Sequence, residues 1–583
     1  MKCKKILSLL LAIVLCAVSA SAVFAYQRQE EHTPVIIVPG YSGSPLYMNY
    51  GGPDEKQVWG LDMDEVTAAL LNNIAEIGLG LGALAFGNTD RLADTLGREA
   101  RKILEPLTIH PDGSSKYALT TIPWLTDPAT SNNRWLLDNK DGAYISEAEI
   151  MGGVAETIGQ ENIFNFFCDF RRGVVDCARD LRTYVEKVKA YTGSDKVSIL
   201  AVSHGGQVVG TYLSLFGTLG DLDNVVMTFP ALGGAALAYD ALSGTVRLDE
   251  ELLIYYIECG FVAERNFEWL LRACELGFLD RLLNKVLQEY FAPVCLYWGS
   301  IWDFIPTEHY EEMKAQWLDP VEHAWLIEGS DYMHYDIIAN YGKSFRAAQR
   351  AGANVSILAG AGAKAVSGGM VNADAIIPTA SSTGALCAPY GERFPDGYTG
   401  AGNACEDPAH RHVSPSMEID ATHAWLPENT WFVEGMFHGM SYKDPYSRIL
   451  TRKLLLTDDL ADVRSDPQYP QFARSHNPQD ALYIEFGKSP PGFVTGDDTS
   501  LRICNLSEKY PARILSIQCD GMDISFEPCA LKRIAPGAMA ELKFTGAVPD
   551  AHSEHASVTV SFLQIGSIIP ESKTFDFTIL RGR

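Results

Sequence analysis

Beyond its N-terminus the chain lacks any uninterrupted apolar run of the roughly 20 residues that a membrane-spanning helix needs. The nearest approach, residues 68–87, is broken by Asn72, Asn73, Glu76 and several glycines. Positive charge is also scarce: 47 Lys and Arg stand against 73 Asp and Glu, a net charge of −26. Such a surface repels nucleic acid and anionic bilayers. Nucleic acid is therefore not expected as a partner, and contact with a lipid surface has to rest on apolar groups. No pair of CxxC motifs and no HExxH appear. The usual zinc signatures are missing, and no metal or other cofactor is expected.

What is present begins with Lys4 and Lys5, an apolar run over 6–18, and small residues leading to Val23-Phe24-Ala25. This reads as a secretory signal peptide, 1–25, cut after Ala25, and predicts a secreted or cell-surface protein. Loss of Lys2, Lys4 and Lys5 takes the mature charge to 44 − 73 = −29. Of twelve cysteines, Cys3 and Cys16 leave with the signal, and the remaining even number permits disulfides. A length of 583 residues, 47% of them hydrophobic, predicts two or more domains.

The most informative stretch is KVSILAVSHGGQVVGTY, 196–212. Val197 to Val202 is β-branched and apolar and reads as a buried strand. The chain then turns through Ser203-His204-Gly205 into a segment that can be helical. Ala201 and Gly205 stand two before and two after the serine, where a strand-to-helix elbow tolerates only small residues. That arrangement presents Ser203 at the tip of a tight turn, with the His204 N–H available to an oxyanion. Earlier, VPGYSGSPL follows the strand-like residues 35–38, and the Tyr41 N–H is the candidate for a second oxyanion donor.

The rest of the chain frames this elbow. Residues 163–167 read as a strand. A helix with Val174, Ala178, Leu181, Val185 and Val188 on one face comes next, ahead of the elbow strand. Strand, helix, strand implies a parallel sheet, with the serine at its carboxyl end. Residues 225–229 and 355–359 are further strands. Between them, about 250–350, lies a leucine-, tyrosine- and tryptophan-rich helical insertion. It reads as a cap over the sheet that suits an acyl chain, with Trp298 and Trp302 flanking a turn. Residues 460–480 are polar, carry prolines and read as a linker. From 481 to 583, short alternating runs such as LYIEF, SLRICNL and ASVTVSFL predict an all-β sandwich of immunoglobulin-like type. The fold class is thus α/β over 26–480, followed by a β-domain expected to be separable.

A serine hydroxyl becomes a useful nucleophile when a histidine takes its proton and an acid orients that histidine. Ser203, Asp374 and His438 follow the order serine, acid, histidine. Among histidines after Asp374, His476, His552 and His555 fall in the linker or the β-domain. His410 and His412, beside Arg411, look surface-exposed, which leaves His423 and His438. TPVIIVPGYSGSPL, FFCDFRR, SILAVSHGG, NADAIIPTAS and FHG, spread over 33–440, together resemble the lecithin:cholesterol acyltransferase-like branch of the α/β-hydrolases. The resemblance implies an α/β-hydrolase fold and acyl transfer from a lipid ester through a serine acyl-enzyme. It implies Ser203 as nucleophile, Asp374 as acid and His438 rather than His423 as base, with the Tyr41 and His204 amides as oxyanion hole. Phe170 stands where the family usually has tryptophan, and neither much of 60–150 nor the β-domain is covered. An esterase, lipase, phospholipase or acyltransferase acting on a lipid or other acyl ester is the expectation. The alternative is a binding protein on a degenerate hydrolase scaffold. Cys387 and Cys405, which bracket a loop between Asp374 and His438, are expected to pair.

Overall fold

The computed structural model of the chain describes residues 33–41, 43–59, 73–84, 86–124, 154–155, 157–247, 277–365, 369–395, 397–400, 410–438, 444–457, 460–466, 469–474, 482–487, 493–496, 498–507, 510–526, 532–536, 538–547, 555–564 and 569–580. The expected signal peptide, the first part of the expected cap and Cys405 lie outside them.

Seven strands form a wholly parallel sheet. In chain order they are β1 (Val35–Val38), β2 (Ile163–Asn165), β3 (Val197–Val202), β4 (Leu222–Thr228), β5 (Asn354–Ala361), β6 (Thr430–Glu434) and β7 (Phe472–Arg474). Their spatial order is β7-β6-β5-β4-β3-β1-β2, so the elbow strand is internal. Strands buried on both faces need continuous apolar runs, and β1 and β3 are buried at every position. Their side chains divide by alternation. Ile36, Val38, Ile199 and Ala201 face one core with helices α1 (Val174–Thr192), α2 (His204–Phe216) and α3 (Tyr341–Arg350). Val35, Ile37, Leu200 and Val202 face a second core with α4 (Pro445–Leu456). Asp444 caps α4 by accepting from the Ser447 N–H at 2.9 Å.

Two sequence expectations change here. The 460–480 segment is no mere linker in its described part. Leu460, Val463 and Tyr469 are buried, and β7 adds to the edge of the sheet beside β6. A three-residue edge strand among prolines leaves too little period to read. The end of the presumed cap also belongs elsewhere, since Tyr341, Phe345 and Ala348 of α3 pack in the sheet's own core. The described cap is a set of short helices, Phe278–Val286 through Ala324–Asp331. Trp298 and Trp302 are fully buried, donating Nε1–H to the Leu107 and Leu296 carbonyls, so Trp298 ties the segment to the turn at Glu105–Leu107 and Trp302 packs inside it, rather than lining a pocket.

The C-terminal region is all β. One sheet holds Leu482–Phe486, Ser500–Asn505, Met539–Ala547 and Asp523–Phe526. A second holds Phe493–Thr495, Glu571–Leu580, His555–Gln564, Ala512–Asp520 and Arg533–Ile534. Pairing is antiparallel except between Phe493–Thr495 and Glu571–Leu580. The two sheets share a core of their own. This region also packs on the first. Tyr483, Cys504 and Leu506 join the core that contains Tyr446, Leu450, Leu454 and Tyr469.

Candidate active site

Ser203 sits between β3 and α2 with φ 55° and ψ −118°, a conformation costly for any residue with a side chain. Close packing on both sides enforces it. A Cβ on Gly205 would lie 2.1 Å from the Val38 carbonyl oxygen, and one on Gly206 would lie 2.3 Å from Pro230 Cβ. The helix can thus start against β1 and the end of β4 only because both positions lack side chains. The Ser203 N–H is bonded to the Thr228 carbonyl at 3.1 Å, which fixes the tip of the turn.

Asp374 follows β5 and is fully buried. Its Oδ1 accepts from the Ile376 and Ile377 N–H groups at 3.0 and 2.7 Å, which leaves Oδ2 to face His438. His438 Nδ1 donates to that oxygen at 2.8 Å, and Nε2 stands 2.9 Å from Ser203 Oγ. The His438 N–H also donates to the Asp374 carbonyl at 2.7 Å, so backbone and side chain lock the loop after β6 to the loop after β5. His423 lies elsewhere, on the surface, with Nε2 3.8 Å from Asp420. His412, expected at the surface, is buried, because its two ring nitrogens face Gln471 and Glu428.

The remaining walls come from three elements. Gly40 backs onto the serine, where a Cβ would lie 3.4 Å from Ser203 Cβ. Next to it the Tyr41 ring packs within 5.0–5.4 Å of Phe170, His204 and Phe304, and its hydroxyl meets Ser300 Oγ at 2.9 Å. His204 opens α2, where the first N–H groups have no intrahelical acceptor. Its imidazole is pushed down to about 4 by burial, so it is neutral. Within FFCDFRR, Arg171 is buried and bonds Asp169, the Leu107 carbonyl and Ser115. That motif therefore organises the wall from behind.

Sequence reasoning missed the cap's reach into this wall. Phe304 ends the helix Gly299–Phe304, its carbonyl accepts from the Ala235 N–H, and the Asp303 carbonyl accepts from Gln207 of α2. Asp303 Oδ2 accepts from the Val174 N–H at the start of α1, and burial pushes its carboxyl up to about 7. The only signal was the aromatic content of the cap, which does not say which ring faces the elbow. The disulfide expectation meets a free thiol at Cys387, which points at the Ala385 carbonyl.

No protein-family model matches the chain. No curated protein matches it either. Among solved structures, a FixG-related protein from Vibrio parahaemolyticus is 14% identical, covering 17% of this chain and 97% of that one, with a TM-score of 0.12. The Tle4–Tli4 complex gives 15% identity, 56% and 74% coverage and a TM-score of 0.23. Phospholipase PlaB from Legionella pneumophila gives 11%, 78%, 90% and 0.26. At such TM-scores these likenesses carry no argument about the fold or the site.

Proposed function

We propose that this chain is a serine-dependent acyl-ester hydrolase of the α/β-hydrolase type, with a helical cap and an immunoglobulin-like C-terminal domain. The carrying observation is the unbroken contact Ser203 Oγ to His438 Nε2 to His438 Nδ1 to Asp374 Oδ2, at 2.9 and 2.8 Å. Ser203 attacks the ester carbonyl as His438 takes its proton. The Tyr41 and His204 N–H groups receive the oxyanion, and the alkoxide leaves with the proton from His438. Asp374 keeps the Nδ1–H tautomer and offsets the imidazolium charge. Water or an alcohol then resolves the acyl-enzyme, which gives esterase, lipase or phospholipase activity in the first case and acyl transfer in the second.

A lipid ester is the substrate class we favour. The partly exposed Tyr41, which follows the glycine backing onto the serine, and Phe304, which packs on Tyr41 and His204, offer an apolar wall, and Leu79, Leu81 and Phe86 are exposed apolar side chains suited to touching a lipid surface without charge. Export is part of the proposal and rests on the N-terminal pattern; N-terminal sequencing of the protein recovered from culture medium checks it. A fluorophosphonate probe tests the chemistry. It should label the folded protein at Ser203 and leave Ser203→Ala unlabelled. A wild-type protein that stays unlabelled removes the proposal.

A further inference from the structure

A second cluster of reactive side chains lies at the opposite end of β6 from His438. His410 and His412 come from the loop before the short strand Ile419–Asp420. Glu428 comes from the 3-10 turn Pro427–Asn429 that leads into β6. One ligand atom from each lies within 4.8 Å of the other two, and the two imidazole rings are 4.5 Å apart and nearly perpendicular.

The protonation of His412 is fixed by its neighbour. Gln471 spends its amide nitrogen on two carbonyls, Pro427 at 2.7 Å and Thr430 at 3.1 Å. Its Oε1 is therefore the atom that faces His412 Nδ1 at 2.7 Å, and an oxygen there requires Nδ1 to carry the proton. In the neutral ring the lone pair then sits on Nε2, which points at Glu428 Oε1 from 3.0 Å. A lone pair facing a carboxylate oxygen is repulsive unless a cation lies between them, either a proton or a metal ion. His410 brings a second imidazole to the same spot. A His412 whose far nitrogen is held by a side-chain carbonyl is the arrangement metal-ligating histidines commonly have.

We propose that His410 Nε2 or Nδ1, His412 Nε2 and a Glu428 carboxylate oxygen form a binding site for a divalent transition metal, with Zn²⁺ as the best fit to two imidazoles and one carboxylate. A tetrahedral ion about 2.1 Å from each ligand wants ligand atoms about 3.4 Å apart. The His412–Glu428 pair is already near that, and a ring nitrogen of the partly buried His410 lies within 4.8 Å of both. Glu428 is 35% exposed, which gives the ion an entry path, while Arg464 Nε lies 3.5 Å from its other oxygen. β6 separates this cluster from His438 by about 16 Å of extended chain. The ion would therefore pin the 410–412 loop to the start of β6 and, through Gln471, to β7. It would not touch the reacting atoms.

The test uses the full chain without an affinity tag, stripped with chelator and titrated with ZnCl₂ by calorimetry. Metal content and thermal midpoint are followed alongside. One equivalent of Zn²⁺ should bind and raise the midpoint, and His410→Ala should weaken binding at least tenfold while remaining folded. Glu428→Gln should do the same. Gln471→Met, which touches no ligand atom of the ion, should weaken it about 10- to 100-fold. Failure of the folded wild type to hold stoichiometric Zn²⁺ overturns the site and assigns the His412–Glu428 contact to a proton. Equal affinity of wild type and His410→Ala overturns it too.

Discussion

At the scale of single residues, the histidines make the sharpest prediction. His438 Nε2 is 2.9 Å from Ser203 Oγ, whereas His423 is on the surface near Asp420. On the proposed mechanism, Ser203→Ala and His438→Ala should each lower turnover of a chromogenic ester by about 10⁴-fold or more, because a nucleophile and its base act as a unit. His423→Ala should leave turnover within a fewfold of wild type. Steady-state kinetics on the three variants decides it, and the opposite ranking removes His438 as base. Asp303 makes a second prediction, for stability. Burial raises its carboxyl from 3.8 to about 7 in the folded state. Below the lower value both states are protonated and burial carries no ionisation penalty. As pH rises through the window between those values, the unfolded chain ionises first, so the folded state loses stability until about pH 7. Asp303→Asn should flatten that part of the profile, measured as the urea midpoint against pH. Parallel profiles for wild type and variant would show that Asp303 does not titrate in this window.

At the scale of elements, the elbow and the cap behave differently. α2 meets β1 through Gly205, where an added Cβ has the Val38 and Pro39 carbonyl oxygens at 2.1 and 2.7 Å and no flexible neighbour to give way. Gly205→Ala should cost about 1–3 kcal/mol or more of stability and displace Ser203, with loss of turnover. Gly82 is the contrast, helical with open space around its Cβ position. There, alanine should stabilise by about 0.5–1 kcal/mol. Melting curves of the two variants should move in opposite directions. In the cap, Trp302 is core and Phe304 is wall. Trp302→Ala should lower stability by about 3–5 kcal/mol without a selective effect on acyl-chain length. Phe304→Ala should change the ratio of short- to long-chain ester turnover at nearly unchanged stability. A Phe304 variant with the wild-type chain-length profile would exclude that ring from the acyl site.

At the scale of the whole molecule, the C-terminal β region is joined to the α/β region by more than sequence. The Tyr446 and Tyr483 rings meet at 6.2 Å, tilted by 55°, and Tyr483, Cys504 and Leu506 close the core over Leu450 and Leu454 of α4. Each large side chain so buried contributes about 1.5–3 kcal/mol. The expectation of a separable β-domain is therefore to be tested against this shared core. A chain ending at residue 480 should melt well below the full chain and aggregate, although no residue of the Ser203–His438–Asp374 contact lies beyond that point. Calorimetry of the two chains checks this. Equal melting of the shorter chain would show that the interface contributes nothing.

The sequence by itself determined what depends on local pattern. Continuous apolar runs define β1, β3, β4 and β5, because strands covered on both faces admit few polar residues. The spacing of threes and fours defines α1, and small residues around Ser203 define the elbow, because only they fit the turn. The alternating runs after 481 define paired strands. Tertiary structure decided everything that depends on which loops converge. Asp374 and His438 are 64 positions apart, and only the parallel order of β3, β4, β5 and β6 brings their loops to one end of the sheet. It also decided that His412 is buried with a glutamate and a second histidine, that β7 completes the sheet, and that Trp302 is core while Phe304 packs on Tyr41 and His204. These are outcomes of packing between distant segments, which no local period encodes. A histidine two residues from another looks the same in sequence on a solvated loop as it does when Gln471, 59 positions later, fixes which of its nitrogens is free to bind.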